Sequence, residues 1–307
     1  MTLQTPAVVR PHFPDSLLVD LAITGPDKTR FMKSFVFFLI FGLSHATSVF
    51  AQTDDWQSWP MGEKFLVTVD AFFPTIDTKV TVNATNGTPG TTVDFEQNLG
   101  LPETETLPSL TAHWRFAKKH RLQLGYFALK RSGSSVTATQ ISIGDTVFEV
   151  NLPISSFFDV EVTHASYSYS LLFDERKELS LIAGLSVQDV TFGIQGNASQ
   201  GIIEFDSGIT APLPAFGLAF GYAFTDKWFF RGGVGVFSFA FAVADEDELR
   251  GEIVNATASI NHQTFKNVRF GLTYMLFEID AGYGNSAGFN SINYNYHGPA
   301  LTVGGNF

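Results

Sequence analysis

"LPAFGLAFGYAF" occupies residues 213–224. Phe216, Leu218, Phe220, Tyr222 and Phe224 share one parity, and Ala215, Gly217, Ala219, Gly221 and Ala223 share the other. Alternation with period two is the signature of a β-strand, whose successive side chains point to opposite faces. A soluble sandwich would send its bulky row into a core and place polar residues on the water side. Here the second face is small and nearly featureless. That fits a closed barrel, where the bulky row meets lipid and the small row leaves room in a narrow lumen for side chains from other strands.

The same alternation recurs along the chain. In "LSLIAGLSVQ" (179–188) Leu179, Leu181, Ala183, Leu185 and Val187 lie on one face. In "EIVNATASINHQ" (252–263) Val254, Ala256, Ala258 and Ile260 alternate with polar neighbours. Short polar turns stand at 117–121, 174–178, 225–227 and 266–267, and long connections at 74–106, 131–156, 193–210, 242–250 and 282–291. Short turns on one side and long loops on the other are the asymmetry of outer-membrane barrels. Trp114, Phe116, Phe173, Phe224, Trp228, Phe265 and Phe270 crowd the short turns, as an interfacial aromatic girdle would. Hairpins are expected at 107–131, 157–191, 211–241 and 252–281, with a first strand at 63–73 and a last at 292–307. The fold class read from this is all-β: a single antiparallel up-and-down transmembrane β-barrel of about ten strands, with eight the alternative. "TTVDFEQNLGLPETET" (91–106) is the segment hardest to place, and an extension of the second strand is one option.

An export signal precedes the barrel. "MKSFVFFLIFGLSHATSVFAQ" (32–52) joins Lys33 to an apolar run, Phe35 to Leu43, and then to Val49 and Ala51 at −3 and −1 of a cleavage site. The run is shorter than the ~20 residues a membrane-spanning helix needs. Residues 32–51 therefore read as a signal peptide cleaved between Ala51 and Gln52. Residues 1–31 read as an upstream extension of the gene model, and 52–307 as the barrel. The chain carries a net charge of −11 and no cysteine. Its acidity argues against a nucleic-acid partner, and its stability must come from packing and sheet closure rather than disulfides.

The chain ends "HGPALTVGGNF", where Leu301, Val303, Gly305 and Phe307 share one parity and Phe307 is the last residue. A terminal aromatic after alternating hydrophobics resembles the signal read by the barrel assembly machinery. With the signal peptide and hairpin pattern, residues 60–307 resemble the small Gram-negative outer-membrane β-barrel proteins, the broad class of outer-membrane proteins A, W and X. The resemblance implies a porin-like cell-envelope protein among outer-membrane lipids and lipopolysaccharide, assembled by that machinery; the oligomeric state is left open, with a monomer favoured. It does not choose among pore, adhesin, structural protein and lipid-modifying enzyme.

Parity also assigns the charges. His113 and Arg115 face opposite Trp114 and Phe116, so they point into the lumen. Arg121, Arg231 and Arg269 do so by the same rule, as does Asp70 opposite Phe65, Val67 and Val69. Each arginine lies within about four residues of a short turn, which gathers them near the periplasmic mouth. Two readings stand: a basic constriction favouring anions, and a plug of salt bridges. The plug is preferred, because barrels of this size have interiors close to filled by side chains. Such a cluster needs carboxylates, with Asp70 the leading candidate, or a bound anion. His164 and Ser166 share a face but lack an orienting carboxylate, so no catalytic residue is assigned. The acids of the long connections (Asp94, Glu96, Glu103, Glu105, Asp245, Glu246, Asp247, Glu248) match no calcium loop and read as a solvated rim. No cofactor and no metal site is implied. The function read is a structural or narrow-channel barrel. The alternatives are a lipid-modifying enzyme, or an adhesin acting through long loops.

Overall fold

Alternation of side chains, carried over much longer stretches than the membrane requires, builds the wall. The computed structural model describes residues 56–198, 201–244, 247–285 and 288–307. The signal segment 32–51, the cleavage pair Ala51/Gln52, residues 1–31 and the acids Asp245 and Glu246 lie outside the described residues. The elements are β1 (Phe65–Phe72), β2 (Thr75–Thr81), β3 (Val93–Asp94), α1 (Phe95–Leu99), β4 (Leu107–Ala117), β5 (His120–Val136), β6 (Ile141–Ile143) and β7 (Thr146–Phe148). They continue with β8 (Pro153–Phe173), β9 (Lys177–Ala198), β10 (Gly201–Ala223), β11 (Trp228–Ala244), β12 (Asp247–Phe265), β13 (Val268–Asn285) and β14 (Gly288–Asn306).

Among the described residues, ten strands pair in the order β1-β4-β5-β8-β9-β10-β11-β12-β13-β14, and β14 pairs back onto β1 to close the ring. Closure removes the free sheet edges that an open β-protein must protect. The seam is finished by reciprocal bonds between Phe65 and Phe307, each donating its N–H to the other's carbonyl at 3.1 and 2.9 Å. The ring has ten strands, not the alternative eight.

The bulky rows do face outward. Phe216, Leu218, Phe220 and Tyr222 are exposed, as are Leu124, Leu272 and Leu301 on other strands. Above this belt the outward positions turn acidic and polar, with Lys130 opposite Asp159, Glu161 opposite Asp189 and Glu252 opposite Asp280. Charges at these positions mark where the lipid ends, because a charge facing hydrocarbon is costly.

The long connections differ from expectation. Residues 193–198 and 201–210, read as loop, continue β9 and β10 as paired strand. β9 has 22 residues, about 70 Å of chain at ~3.3 Å per residue, whereas about 9–11 residues cross the hydrocarbon. Inward Val190, Phe192 and Ile194 are buried while outward Asp189, Thr191 and Gln195 are exposed. These polar outward residues made the segment look like a loop, yet the alternation underneath is that of a strand standing in water. Residues 91–106 do not extend the second strand. They form β3, α1 and a return to β4.

The first strand is interrupted. β1 and β2 lie end to end along β14, with Pro74 between them. Proline lacks the N–H that a continuous ladder needs. Above Phe72 the pairing with β4 stops, and α1 occupies the space, packing on β2, β5 and β8. Asp94 caps α1 by accepting from Gln97 N–H at 2.8 Å, and Gly100 ends it with φ 73°. Phe95 and Leu99 are fully buried. Phe95 meets the inward rings of Phe158 and Phe192 edge-on, and Phe158 touches Tyr294 of β14 across the mouth. The end of the lumen with the long connections is therefore filled by an apolar core.

Candidate functional site

The opposite end of the lumen is closed by charge. Just before β1, the chain makes a 3₁₀ turn at Trp56–Ser58 and runs beneath the barrel. Met61 is buried against inward Phe173, Ala223 and Phe229, with Trp56 and Trp59 packed around them. Two glycines permit this close passage. A Cβ on Gly62 would fall 1.7 Å from the Trp56 carbonyl oxygen, and one on Gly221 would fall 2.6 Å from the Met61 sulfur.

Phe173 corrects the expected aromatic girdle, because it is buried at 6% exposure. A register shift between Ser170 and Leu172 flips the parity of β8 just before its turn, and one extra residue moves every later side chain to the other face. Trp114, Phe224, Trp228, Phe265 and Phe270 keep to the outside.

The structure gathers Arg115, Arg121, Arg231 and Arg269 in this floor with two carboxylates. Glu178 lies 2.7 Å from the Arg115 guanidinium and 3.7 Å from that of Arg121. The same Oε1 that takes Arg115 also accepts from the hydroxyls of Ser170 and Ser180. Glu63 lies 2.6 Å from Arg231 and 3.3 Å from Arg269. Aromatic faces complete the cradle: Arg115 stands 4.2 Å over Phe173, and Arg231 and Arg269 stand 5.3 and 5.5 Å from Phe229. Guanidinium stacking on a ring adds to the ion pairs where water is thin. Burial alone would raise the pKa of Glu63, but Arg231 and Arg269 overcome it and hold the carboxyl well below the usual range.

Asp70 is not the partner expected of it. It points inward, but accepts from Ser109 at 2.9 Å and Thr302 at 2.5 Å, its neighbours on β4 and β14. Glu178 escaped notice because it closes the polar run "DERKE" (174–178), although its parity with inward Ser180 was there to be read. Glu63 is the first residue of the expected strand 63–73, where parity with Phe65 turns it outward. The strand starts at Phe65 instead, and the inward direction of Glu63 comes from the chain passing under the barrel.

Higher in the lumen, His164 lies 3.0 Å from the Gln123 amide nitrogen. Its ring covers Gly125, where a Cβ would sit 2.0 Å from Cε1. Ser166 faces Gly184 across the ladder. At the mouth a second buried ion pair joins Arg131 to Glu96, and Arg131 also donates to the Thr78 hydroxyl at 2.7 Å. Glu96 is thus not part of a solvated rim. Its flanking Phe95 and Leu99 draw α1 inward and carry it along. Glu103 and Glu105 remain exposed. At the C-terminus Leu301, Val303 and Phe307 all face outward.

No protein-family description matches the chain, and no curated protein matches it. Solved structures do. The outer-membrane protease OmpT from Escherichia coli is similar over 79% of this chain and 97% of its own, with a TM-score of 0.51 at 12% identity. Neisserial surface protein A matches 80% of this chain and 97% of its own at a TM-score of 0.31 and 12% identity. The toluene transporter TodX of P. putida matches 80% and 90% at 0.36 and 10%. At such identities the likeness is one of fold, and the fold shared is the outer-membrane β-barrel.

Proposed function

We propose that the chain is an integral protein of the bacterial outer membrane, processed by removal of a signal peptide and inserted by the barrel assembly machinery as a monomer among lipopolysaccharide and lipid. Its role is structural, with a lumen obstructed at both ends. The observation that carries this is the pair of closures. The floor is held by Glu63 and Glu178 against four arginines, and the mouth by Phe95 and Leu99 against Phe158, Phe192 and Tyr294. A catalytic role is not part of the proposal, because the His164–Ser166 pair has an amide, not a carboxylate, beside its imidazole.

Single-channel recording across planar bilayers at several salt gradients tests this. The expected result is an absence of resolved current steps. Steady steps with a reversal potential on the anion side would overturn the structural reading in favour of a basic constriction.

Surface binding is a second reading, favoured by the height of the wall. β8, β9 and β10 rise far past the lipid belt and present Ile202 at 65% exposure near their tip. Whole-cell binding that disappears when the β9–β10 tip is shortened, with folding intact, would support it.

A further inference from the structure

Among the described residues, four guanidinium groups meet two carboxylates in the floor. The excess is not shared evenly. Arg115 and Arg269 have side chains 1% and 3% exposed, and each hydrogen-bonds a glutamate. Arg231 bonds Glu63 at 2.6 Å and keeps 20% exposure. Arg121 stands apart. Its Glu178 oxygen is 3.7 Å away, beyond hydrogen-bond reach, because the other oxygen of that carboxylate already serves Arg115, Ser170 and Ser180.

Arg121 is also placed directly opposite Arg115 on the β4–β5 ladder. Like charges so paired repel, and Arg231 adds to the repulsion. Its side chain is 11% exposed, and among the described residues its buried Nε has no acceptor. The Nε atoms of Arg115, Arg131 and Arg231 and the Nδ1 of His113, one ladder position further into the lumen, are likewise buried without a partner. But Arg115, Arg131 and Arg231 each hydrogen-bond a glutamate through another nitrogen, which Arg121 does not. A largely buried guanidinium with unused donors, beside a second one and an imidazole, is the arrangement that recognises an oxyanion.

We infer that the lumen floor binds a small oxyanion, of the phosphate or carboxylate class, between Arg121 and Arg231 with His113 beside it. The anion supplies the charge that Glu63 and Glu178 leave uncompensated, and the forked N–H groups of Arg121 are its principal donors. The site differs from a conduction pathway. It is a buried binding position, and it stands whether or not current crosses the barrel.

The full-length protein, refolded from urea into detergent with inorganic phosphate or with chloride at matched ionic strength, tests the site. Refolding in the presence of the probe removes any dependence on entry through a closed lumen. Phosphate is expected to shift the arginine Nε–Hε resonances of the wild type saturably, and Arg121→Gln should weaken that binding by about tenfold or more, the loss of a charge-assisted contact. Arg121→Lys, which keeps the charge but loses the fork, should bind more weakly than wild type and serves if Arg121→Gln does not fold. No phosphate-specific shift in the wild type would overturn the inference. So would equal affinity in wild type and both variants.

Discussion

The floor and the mouth of this barrel are closed by the same device in opposite surroundings. At each end a segment outside the ring brings a glutamate to inward-facing arginine, Glu63 to Arg231 and Arg269, and Glu96 to Arg131. At the mouth the pair is single and balanced, tied to Thr78 and the Pro102 carbonyl within an otherwise apolar core. At the floor the carboxylates are outnumbered, and the setting is one of hydroxyls, amides and aromatic faces. A balanced pair in an apolar setting is replaceable by hydrocarbon. An unbalanced lattice is not, because removing any carboxylate leaves several cations without an acceptor.

The largest expected effect breaks the comparison at the mouth. Arg131→Ala should cost about 3–5 kcal/mol, since it strands a buried carboxylate. Arg131→Met combined with Glu96→Leu should recover most of that loss. Urea unfolding followed by heat-modifiable gel migration measures both. If the double variant is as unstable as the single one, the mouth is not the hydrophobic core described here.

Glu63→Gln comes next, at about 3 kcal/mol, and pairing it with Arg231→Met should restore little, because Arg269 still lacks its acceptor. The pH dependence has a definite sign. The folded pKa of Glu63 is depressed, so its contribution is complete above the unfolded value of about 4.3 and fades as pH falls through the folded one. The stability gap between wild type and Glu63→Gln should thus hold from neutrality down to about pH 5 and narrow in stronger acid. A gap that shrinks between pH 8 and 6 would contradict the assignment.

Between the two ends lies the lipid belt. Leu218→Arg should cost about 2–4 kcal/mol by facing hydrocarbon with a charge, against a small effect for Ala219→Ser on the lumen side. Gly217 is not a suitable mild control, although its inward parity makes it look like one. A Cβ there would lie 2.5 Å from the Val234 carbonyl oxygen on the neighbouring strand. Equal costs for Leu218→Arg and Ala219→Ser would reverse the facing of β10. The smallest effect is at the rim of the mouth, where Glu161 stands opposite Asp189. Glu161→Gln should stabilise by about 0.2–1 kcal/mol by removing a like-charge pair, visible as a raised unfolding midpoint at low salt that vanishes at high salt.

These differences also separate what the sequence disclosed from what it did not. The ring, its ten strands and the inward arginines follow from period two, because each residue's direction is fixed by its neighbours along the ladder. Phe173 broke that rule through a single bulge, and no local feature of "SYSLLF" announces it. Glu63, Glu96 and Leu99 lie off the ladder, so their directions come from long-range packing. The floor's arginines were therefore legible, and Glu178 was legible by its parity although hidden in a polar turn, whereas Glu63 was not. The upper strands were misread for a different reason, since a strand that stands in water carries polar residues on its outer face and looks like a loop.

The separation along the chain between Glu63 and its two arginines sets an order in time. Arg115 reaches Glu178 across 63 residues, spanning neighbouring hairpins. Glu63 reaches Arg231 across 168 and Arg269 across 206. Contacts so distant pay their loop-closure entropy late, after the intervening strands are paired. One half of the floor can form while the β4–β9 hairpins are folding, and the other must wait for β13. The Glu63 half of the floor therefore requires that β11 and β13 already be in the barrel, so an intact floor reports a wall completed at least to β13.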